Sequence, residues 1–276
     1  MASQAPIKSQ KKNTPSRVVL SALIGLIVGL AGGLVGLGGA ELRLPYLAGT
    51  LGLPLKKAVP ANLAVSLLTL VAALPTRLLT LKTASLTPFL YETTALGLGA
   101  VLGAYGGVSG LRRLSPLALT RAVFSLLLAL GLVMISEAVV PIAPLGIAPD
   151  AMLPRIVSAL ALGFVIGAIS GLLGVAGGEV IIPTLILGFG APIKAAGSLS
   201  QMVSIPTVLT GFVRHYRAGA LNRDLVMGLI LPMGLGAIAG AIAGGLLANL
   251  APSGILKAVL GVILIASSIK VFAKQA

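Results

Sequence analysis

GGLVGLGGAE, at residues 32–41, decides the fold, because five glycines and a terminal acid interrupt a long apolar run. The same pattern returns as SGLLGVAGGE at residues 170–179. Glycine lets a backbone leave helical geometry and lets other groups approach closely. A helix that breaks at membrane depth is tolerated only where protein or a water-filled cavity receives its backbone groups. The two stretches therefore predict two broken helices, provided that the surrounding chain spans a membrane.

The composition indicates that most of the chain is surrounded by lipid. Of its 276 residues, 57% are hydrophobic and only 9% are charged, whereas a soluble domain carries about 25% charged residues. Only helices and closed barrels satisfy every backbone polar group in hydrocarbon, and barrel strands alternate apolar and polar residues. The apolar runs here continue for about 20 residues without alternation. The sequence therefore predicts an all-α, polytopic membrane helical bundle.

The net charge of +14 indicates membrane orientation and not nucleic-acid binding. Lys and Arg lie in the N-terminal tail and at segment ends, without the dense basic patch of a nucleic-acid surface. We expect the lipid bilayer as a partner and no nucleic acid. The basic tail predicts a multi-pass protein of the cell (inner) membrane with a cytoplasmic N-terminus. Because the chain has no cysteine, disulfides and thiolate metal sites are excluded.

Ten apolar segments form two sets of five, each in the order long, short, long, long, long. A basic tail at residues 1–16 precedes the predicted first repeat, 17–140, and a Pro- and Gly-rich linker at 141–154 precedes the second, 155–276. The first apolar run is too long for a signal-peptide core, so we expect it to span the membrane. The segments are 17–39, 41–52, 54–76, 86–109, 116–140, 153–177, 179–190, 192–213, 223–249 and 253–273.

The two sets also match in sequence when the chain is shifted by 138 residues without a gap. Many matched positions are glycines, which a glycine-rich chain produces by chance. Matches that composition does not explain include Glu41 with Glu179, Pro45 with Pro183, Lys56 with Lys194, Ser66 with Ser204, and Thr69 with Thr207. The sequence therefore predicts an internal duplication.

The cations favour inverted over parallel repeats. If every segment crosses the membrane, each half crosses five times and the halves are inverted; if the short segment is re-entrant, they are parallel. Five crossings place 14 cations inside and 5 outside, and four crossings give 12 and 7, whereas cytoplasmic loops concentrate cations. A 12-residue segment rises only about 18 Å. We therefore predict two inverted repeats, each of four long helices and one short broken or re-entrant helix, with 8–10 membrane segments.

Two glycine pairs, Gly38 with Gly39 and Gly177 with Gly178, are the predicted centre of a substrate site. Each pair precedes a short segment, whose positive N-terminal end would face the break. Two such ends near the middle of the membrane form a site for an anion. In the alternative interpretation these glycines only permit close helix contacts, as the spacing of the glycines in residues 25–33 indicates for the first segment.

Glu41 and Glu179 occupy matched positions directly after the breaks. A carboxyl group inside the membrane is costly unless it is paired, solvated or protonated, so it is a functional candidate. Two interpretations stay open: a carboxyl group takes up a coupling proton, or each carboxylate caps the first turn of its helix. Arg43 has no cationic counterpart, because Ile181 replaces it. We expect Arg43 to form a local ion pair with Glu41.

A polar stripe follows each break, with a spacing that places its side chains on one face of a helix. Hydroxyl and amide groups can bind an oxyanion without fixed charge, which permits release, although they also hydrogen-bond between helices. We interpret the stripes as a lining for the substrate. The predicted lining residues are Asn62, Ser66 and Thr69 in the first half and Ser198, Ser200, Gln201, Ser204 and Thr207 in the second.

The sequence offers no recognisable catalytic or metal-binding motif. It has neither a Ser-His-Asp set nor an H-E-x-x-H motif, and its single histidine, His215, lies between two arginines. We expect no enzymatic activity, no cofactor and no metal site. No Walker lysine motif occurs, so ATP-driven transport by this chain alone is unsupported. Glu92 and Glu137 have no matched acid, and a simple interpretation is that they snorkel near helix ends.

The two glycine-rich stretches resemble the sulfite exporter TauE/SafE family. Each is followed by Pro45 or Pro183 and then by a Gly-x-Pro-x-Lys-x-Ala run, at residues 52–58 and 190–196. The second copy is the closer match, since Ala40 and Arg43 depart from the usual form in the first. The resemblance covers nearly the whole chain and implies a secondary transporter, an exporter of a small anion such as sulfite or an organosulfonate.

Two other functions stay open on the residues alone. A proton-coupled cation or metal transporter would use Glu41 and Glu179 as ligands, and a site of carboxylates and carbonyls suits hard ions. A non-transporting membrane scaffold would not need matched polar groups in its interior. The sequence leaves open the substrate, the direction of transport, the coupling ion and the oligomeric state.

Overall fold

The computed structural model describes residues 15–81, 83–107, 116–140, 151–173, 176–217, 219 and 221–273. Within these residues the chain forms ten main helices and no strand, so the predicted helical membrane bundle is confirmed. Residues 1–14 of the predicted tail and 141–150 of the predicted linker lie outside the described residues.

Five helices form the first half, with a short helix in second place. They are α1 (Pro15–Val35), α2 (Ala40–Pro45) continued by a π-helical turn (Tyr46–Thr50), α3 (Leu55–Thr80), α4 (Leu90–Leu102) continued by a π-helical turn (Gly103–Gly107), and α5 (Pro116–Val139). Two 3-10 turns, Thr83–Ser85 and Thr87–Phe89, join α3 to α4.

The second half repeats this order. It contains α6 (Met152–Leu173), α7 (Gly178–Pro183) continued by a π-helical turn (Thr184–Gly188), α8 (Ile193–Arg217), α9 (Arg223–Leu250) with an internal π-helical turn (Val226–Ile230), and α10 (Ser253–Ala273). The short helices and their π-helical turns begin and end at an offset of 138 residues. The backbone therefore repeats with the same period as the sequence.

Four helices are long and apolar enough to cross a membrane: Arg17–Val35, Leu55–Thr80, Met152–Gly171 and Arg223–Leu250. Their outward faces carry large apolar side chains, such as Ile27 and Val71, which are 65% and 52% exposed. A water-soluble protein rarely exposes such contiguous apolar surface. These outward faces are therefore the lipid-facing surface of the bundle.

Small residues bring helices of opposite halves into close contact. A Cβ atom added at Gly25, Gly29 or Gly33 of α1 would lie 2.1–2.3 Å from a backbone oxygen of α9. A Cβ atom added at Gly163 or Gly167 of α6 would lie 2.2 or 2.0 Å from a backbone oxygen of α4. The first helix of each half thus packs against the fourth helix of the other half, and the two halves form one interlocked unit.

Contacts fix the relative directions of the central helices. Arg77, near the end of α3, bonds carbonyl groups near the end of α1, so these two helices run in the same direction. The chain must therefore return through the short α2. Arg77 also donates to Ser198 near the start of α8, whereas a Cβ atom at Gly211, near its end, would lie 3.4 Å from Leu63. Helices α3 and α8, which are equivalent, therefore run antiparallel.

The fifth helices give the same result. Gly131 of α5 lies against Gly261 of α10, and Ala138 lies against Gly254, so α5 and α10 are antiparallel. Equivalent helices of inverted repeats cross a membrane in opposite directions. The contacts support the inverted arrangement, while the orientation of the halves in a bilayer stays a prediction.

Candidate functional site

The two glycine breaks meet between the halves. A Cβ atom added at Gly38 would lie 2.8 Å from the Cβ atom of Ala176, and one at Gly178 would lie 3.1 Å from the side chain of Leu37. Leu37 and Ala176 are buried. The segments that precede α2 and α7 therefore touch each other in the interior, and only small residues permit this approach.

Gly39 and Gly177 begin the two short helices in a conformation that favours glycine. Their φ angles are 68° and 76°, in the left-handed region. A side chain has no room there either, since a Cβ atom would lie 2.6 Å from Val28 or 2.4 Å from Ser170. Neither helix has a side-chain hydrogen bond at its N-cap. The positive ends of α2 and α7 therefore begin uncapped at the contact between the halves.

Glu41 and Glu179 lie side by side at this contact. Each is 5% exposed, and their carboxyl groups are within hydrogen-bonding reach of each other. Neither oxygen of Glu41 nor Oε1 of Glu179 has a hydrogen-bonded donor among the described residues. Because no backbone N–H among the described residues forms a hydrogen bond with either oxygen of Glu41, this carboxyl group does not cap the first turn of α2 by a hydrogen bond.

The predicted ion pair between Arg43 and Glu41 is wrong. Within the described residues, the ion pairs join Arg155 to Glu92 and Lys257 to Glu137. Residues two positions apart on a helix do not face each other, so the side chain of Arg43 leaves α2 on a different side from that of Glu41.

Arg43 instead crosslinks the first break to α3. Its buried guanidinium donates to the carbonyl oxygen of Gly38, to Ser66 Oγ at 2.8 Å and to Thr69 Oγ1 at 3.2 Å. Asn62 Nδ2 donates to the carbonyl oxygen of Ala40 at 3.0 Å. The first polar stripe is therefore engaged in holding the break, and its two hydroxyl groups already have a cationic partner.

The second polar stripe differs, because several of its polar groups have no partner. Ser200, Gln201 and Ser204 are fully buried, yet neither hydroxyl nor either amide atom is hydrogen-bonded among the described residues. Ser200 Oγ lies 3.2 Å from the position that a Cβ atom at Gly178 would take. Leaving such groups unpaired costs about 1–3 kcal/mol each. This pattern is typical of a site that receives water or a ligand.

The remaining residues of the stripe have partners. Thr207 Oγ1 donates to the carbonyl oxygen of Val203 at 2.8 Å, and Ser198 Oγ accepts from Arg77 Nε at 3.1 Å. Both are buried, like the unpartnered residues. The sequence therefore identifies polar residues of the interior, but it does not tell which of them are free to bind.

Sequence reasoning missed Arg77 as an interior residue. Only 3% exposed, it donates to the carbonyl oxygens of Gly33 and Leu34 at 2.8 Å and of Lys194 at 2.9 Å. These bonds satisfy carbonyl groups at the end of α1 and join it to α8. The duplication is the sequence signal that could have found it. The position matched to Arg77 carries His215, another basic residue near the end of the third helix of its half.

Glu92 and Glu137 lie near helix ends, as expected, but their side chains do not snorkel to an exposed position. Both are buried and pair with cations of the second half, Glu92 with Arg155 and Glu137 with Lys257 at 2.7 Å. Arg155 also lies 5.5 Å from the ring centre of Phe189. Two ion pairs therefore bridge the halves away from the central contact.

Comparison with known proteins agrees with this architecture. The sequence matches the family described as "Sulfite exporter TauE/SafE" over residues 1–134 and 159–276. It is 30% identical over 229 residues to the "Probable membrane transporter protein YunE" of Bacillus subtilis (strain 168), an alignment that covers 77% of this chain and 83% of that protein. No solved structure matches the chain. The resemblance inferred from the glycine stretches is confirmed, and the chain belongs to the sulfite exporter TauE/SafE family of membrane transporters.

Proposed function

We propose that this protein is a secondary transporter that exports a small anion, sulfite or an organosulfonate, across the cell membrane. The observation that carries the proposal is the set of unpartnered, fully buried polar groups of Ser200, Gln201 and Ser204. They lie on α8, which packs against the short helix that follows the second break. Hydroxyl and amide groups in this position suit an oxyanion.

The positive elements around this site favour an anion over a neutral solute. The segments that lead into α2 and α7 touch there, and neither helix has a side-chain hydrogen bond at its N-cap. Arg43 adds one fixed positive charge beside the first break, which the carboxyl group of Glu41 offsets in part. The glycines Gly38, Gly39, Gly177 and Gly178 leave room for the backbone groups at this contact. We therefore assign the two breaks and the second stripe to the substrate, and the first stripe to holding Arg43.

The name of the family and the antiparallel equivalent helices support a carrier that alternates between two sides of the membrane. We place the N-terminus in the cytoplasm, because this orientation puts most of the cations inside. In this orientation the ends of α3 and α9 face outward.

A second candidate function, cation transport, rests on a specific observation. Glu41 and Glu179 form no ion pair, and neither oxygen of Glu41 nor Oε1 of Glu179 has a donor among the described residues. Two adjacent carboxylates attract a cation. In this function both acids would be ligands, and divalent ions would compete for uptake.

The test is uptake of labelled sulfite into liposomes that contain the purified protein, with sulfate, an alkanesulfonate and a divalent cation as competitors. We expect saturable uptake that the sulfonate inhibits and the cation does not. Replacing Gln201 with Ala should lower uptake, since it removes two unpartnered groups. Thr210→Ala is the matched control, because Thr210 lies on the same helix but is only partly buried, and its hydroxyl already donates to the carbonyl oxygen of Pro206. Cation flux without anion flux would contradict the proposal.

A further inference from the structure

We propose that Glu41 and Glu179 form one proton-binding pair with unequal members. Glu179 carries the proton and donates it to an ionised Glu41, and Arg43 is the permanent cation that fixes these roles. This inference rests on the proposed transport function, because it assigns the coupling proton to the second half of the molecule. The pairing itself is a property of the protein without substrate.

The geometry requires one shared proton. The two carboxyl groups lie within hydrogen-bonding reach of each other, and both are almost fully buried. Two ionised carboxylates this close repel each other and cannot form a hydrogen bond, so one of them is protonated. No other donor among the described residues bonds either oxygen of Glu41, which leaves the proton of its partner as the group that satisfies it.

Arg43 breaks the symmetry between the two acids. Its charge acts on Glu41, although the two groups form no ion pair. At the matched position of the second half stands the buried apolar side chain of Ile181. A nearby cation favours the ionised form of a carboxyl group, and an apolar environment favours the neutral form. Glu41 is therefore the carboxylate and Glu179 the acid.

The hydrogen bonds repeat this asymmetry. In the first half, Ser66 accepts a hydrogen bond from the Arg43 guanidinium. The matched hydroxyl of Ser204 is buried and unpartnered, as expected where the fixed cation is missing. The second half therefore has no fixed cation at the position that Arg43 occupies in the first half.

Other charged groups do not reach the pair. Helices α1, α3 and α10 pack around α2, and α5, α6 and α8 pack around α7. Among the described residues, the charged group that acts on the pair from outside it is Arg43. The remaining titratable and charged side chains that the structure describes on these helices are Arg17, Lys56, Lys57, Arg77, Arg121, Glu137, Arg155, Lys194, Arg214, His215, Tyr216, Arg217 and Lys257.

Loss of the proton would have a mechanical effect. Two carboxylates would then face each other with one fixed cation beside them, and their repulsion would push the two breaks apart. Because Glu41 belongs to the first half and Glu179 to the second, proton release separates the halves at their centre. Proton binding joins them again.

The test is the infrared C=O stretching band of a protonated carboxyl group, measured at neutral pH in proteoliposomes without substrate. We expect the band in the unmodified protein, its loss in Glu179→Gln and its retention in Glu41→Gln. Glu92→Gln is the matched control, since Glu92 is equally buried but ion-paired, and it should keep the band. The proposal is overturned if the unmodified protein lacks the band, if Glu41→Gln abolishes it, or if both single variants keep it.

Two further variants test the role of the cation. Ile181→Arg places a cation beside Glu179 and should abolish the band. Arg43→Lys keeps the positive charge, so the band should still be lost on adding Glu179→Gln. A band that is lost instead on adding Glu41→Gln contradicts the inference. Size-exclusion profiles show which variants are folded. Because no substrate is present, these outcomes are independent of whether the protein transports an anion.

Discussion

At the central contact, the space between two backbones limits the size of the side chains that fit. Gly38 and Ala176 come from opposite halves, and a Cβ atom added at Gly38 would lie only 2.8 Å from that of Ala176. The sequence predicts the glycine breaks, because their density is unusual beside long apolar runs. It also predicts that the two helix ends come together at one site, but it cannot give the residues that touch, since this contact joins residues far apart in the chain.

Replacing Gly38 with Ala should weaken both folding and transport. Its Cβ atom would lie 2.8 Å from that of Ala176, and such overpacking costs about 1–3 kcal/mol. The double variant Gly38→Ala/Ala176→Gly removes the clash and should recover most of the loss. Thermal unfolding in detergent and uptake in liposomes measure the two effects. Gly49→Ala, where nothing lies within 4 Å, should be neutral; an equal loss there would contradict the steric explanation.

The pH dependence of transport should depend on Glu179 more than on Glu41. In the proposed pair Glu179 holds the proton at low pH and releases it as the pH rises, so Glu179→Gln removes the titration. We expect its transport rate to become nearly independent of pH, while Glu41→Gln retains a pH dependence. An alkanesulfonate is the substrate to use, because it stays ionised throughout. An unchanged profile in Glu179→Gln would leave capping as the role of this residue.

The Arg43 ion pair is the clearest failure of sequence reasoning at this scale. Proximity in sequence suggests that Arg43 neutralises Glu41, whereas helical geometry turns the two side chains apart. The partners that Arg43 finds, Ser66 and Thr69, belong to α3. Only the packing of α2 against α3 reveals them.

At the scale of elements, the apolar pattern predicts all ten helices in the correct order. The short segments at 41–52 and 179–190 correspond to α2 and α7 with their π-helical turns. Their extent follows from the flanking glycines and prolines. The π-helical turns have no clear sequence signal, since they occur both after the short helices and in the longer α4 and α9.

Arg77 fixes how the ends of α1, α3 and α8 are joined, so its loss should destabilise the bundle. Arg77→Gln leaves several buried carbonyl oxygens without a donor, and we expect a cost of about 3 kcal/mol or more. Thermal unfolding in detergent measures this effect. Arg217→Gln is the control, because Arg217 lies at an exposed helix end. Equal melting temperatures for both variants would mean that the Arg77 bonds contribute little.

At the scale of the molecule, the duplication predicted from one ungapped shift is repeated in the backbone. What the sequence cannot give is the exchange of partners between halves, in which α1 packs on α9 and α6 on α4. The glycines of α1 show that some helix comes close, but any apolar helix with small residues would satisfy that pattern.

Cysteine accessibility tests the inverted topology directly, since the natural chain has no cysteine. In inverted repeats the residues after α3 and at the end of α9 lie on the outer side. Ala84→Cys and Leu250→Cys should react with an impermeant maleimide in intact cells, and Lys56→Cys should not. Parallel repeats would instead place Ala84 inside and Lys56 outside. Labelling after lysis shows that each cysteine is reactive.

The bonds between Thr80, Lys194 and Asn249 bear on the speed of the transport cycle. Asn249 donates to the carbonyl oxygen of Thr80, and Lys194 Nζ donates to that of Asn249 at 2.6 Å. These residues tie the C-terminal ends of α3 and α9 to the N-terminal end of α8. If the substrate leaves between these ends, the bonds break and re-form once in every turnover, and their strength sets an upper limit on the rate of release. A looser tie would give a faster carrier that also leaks more readily.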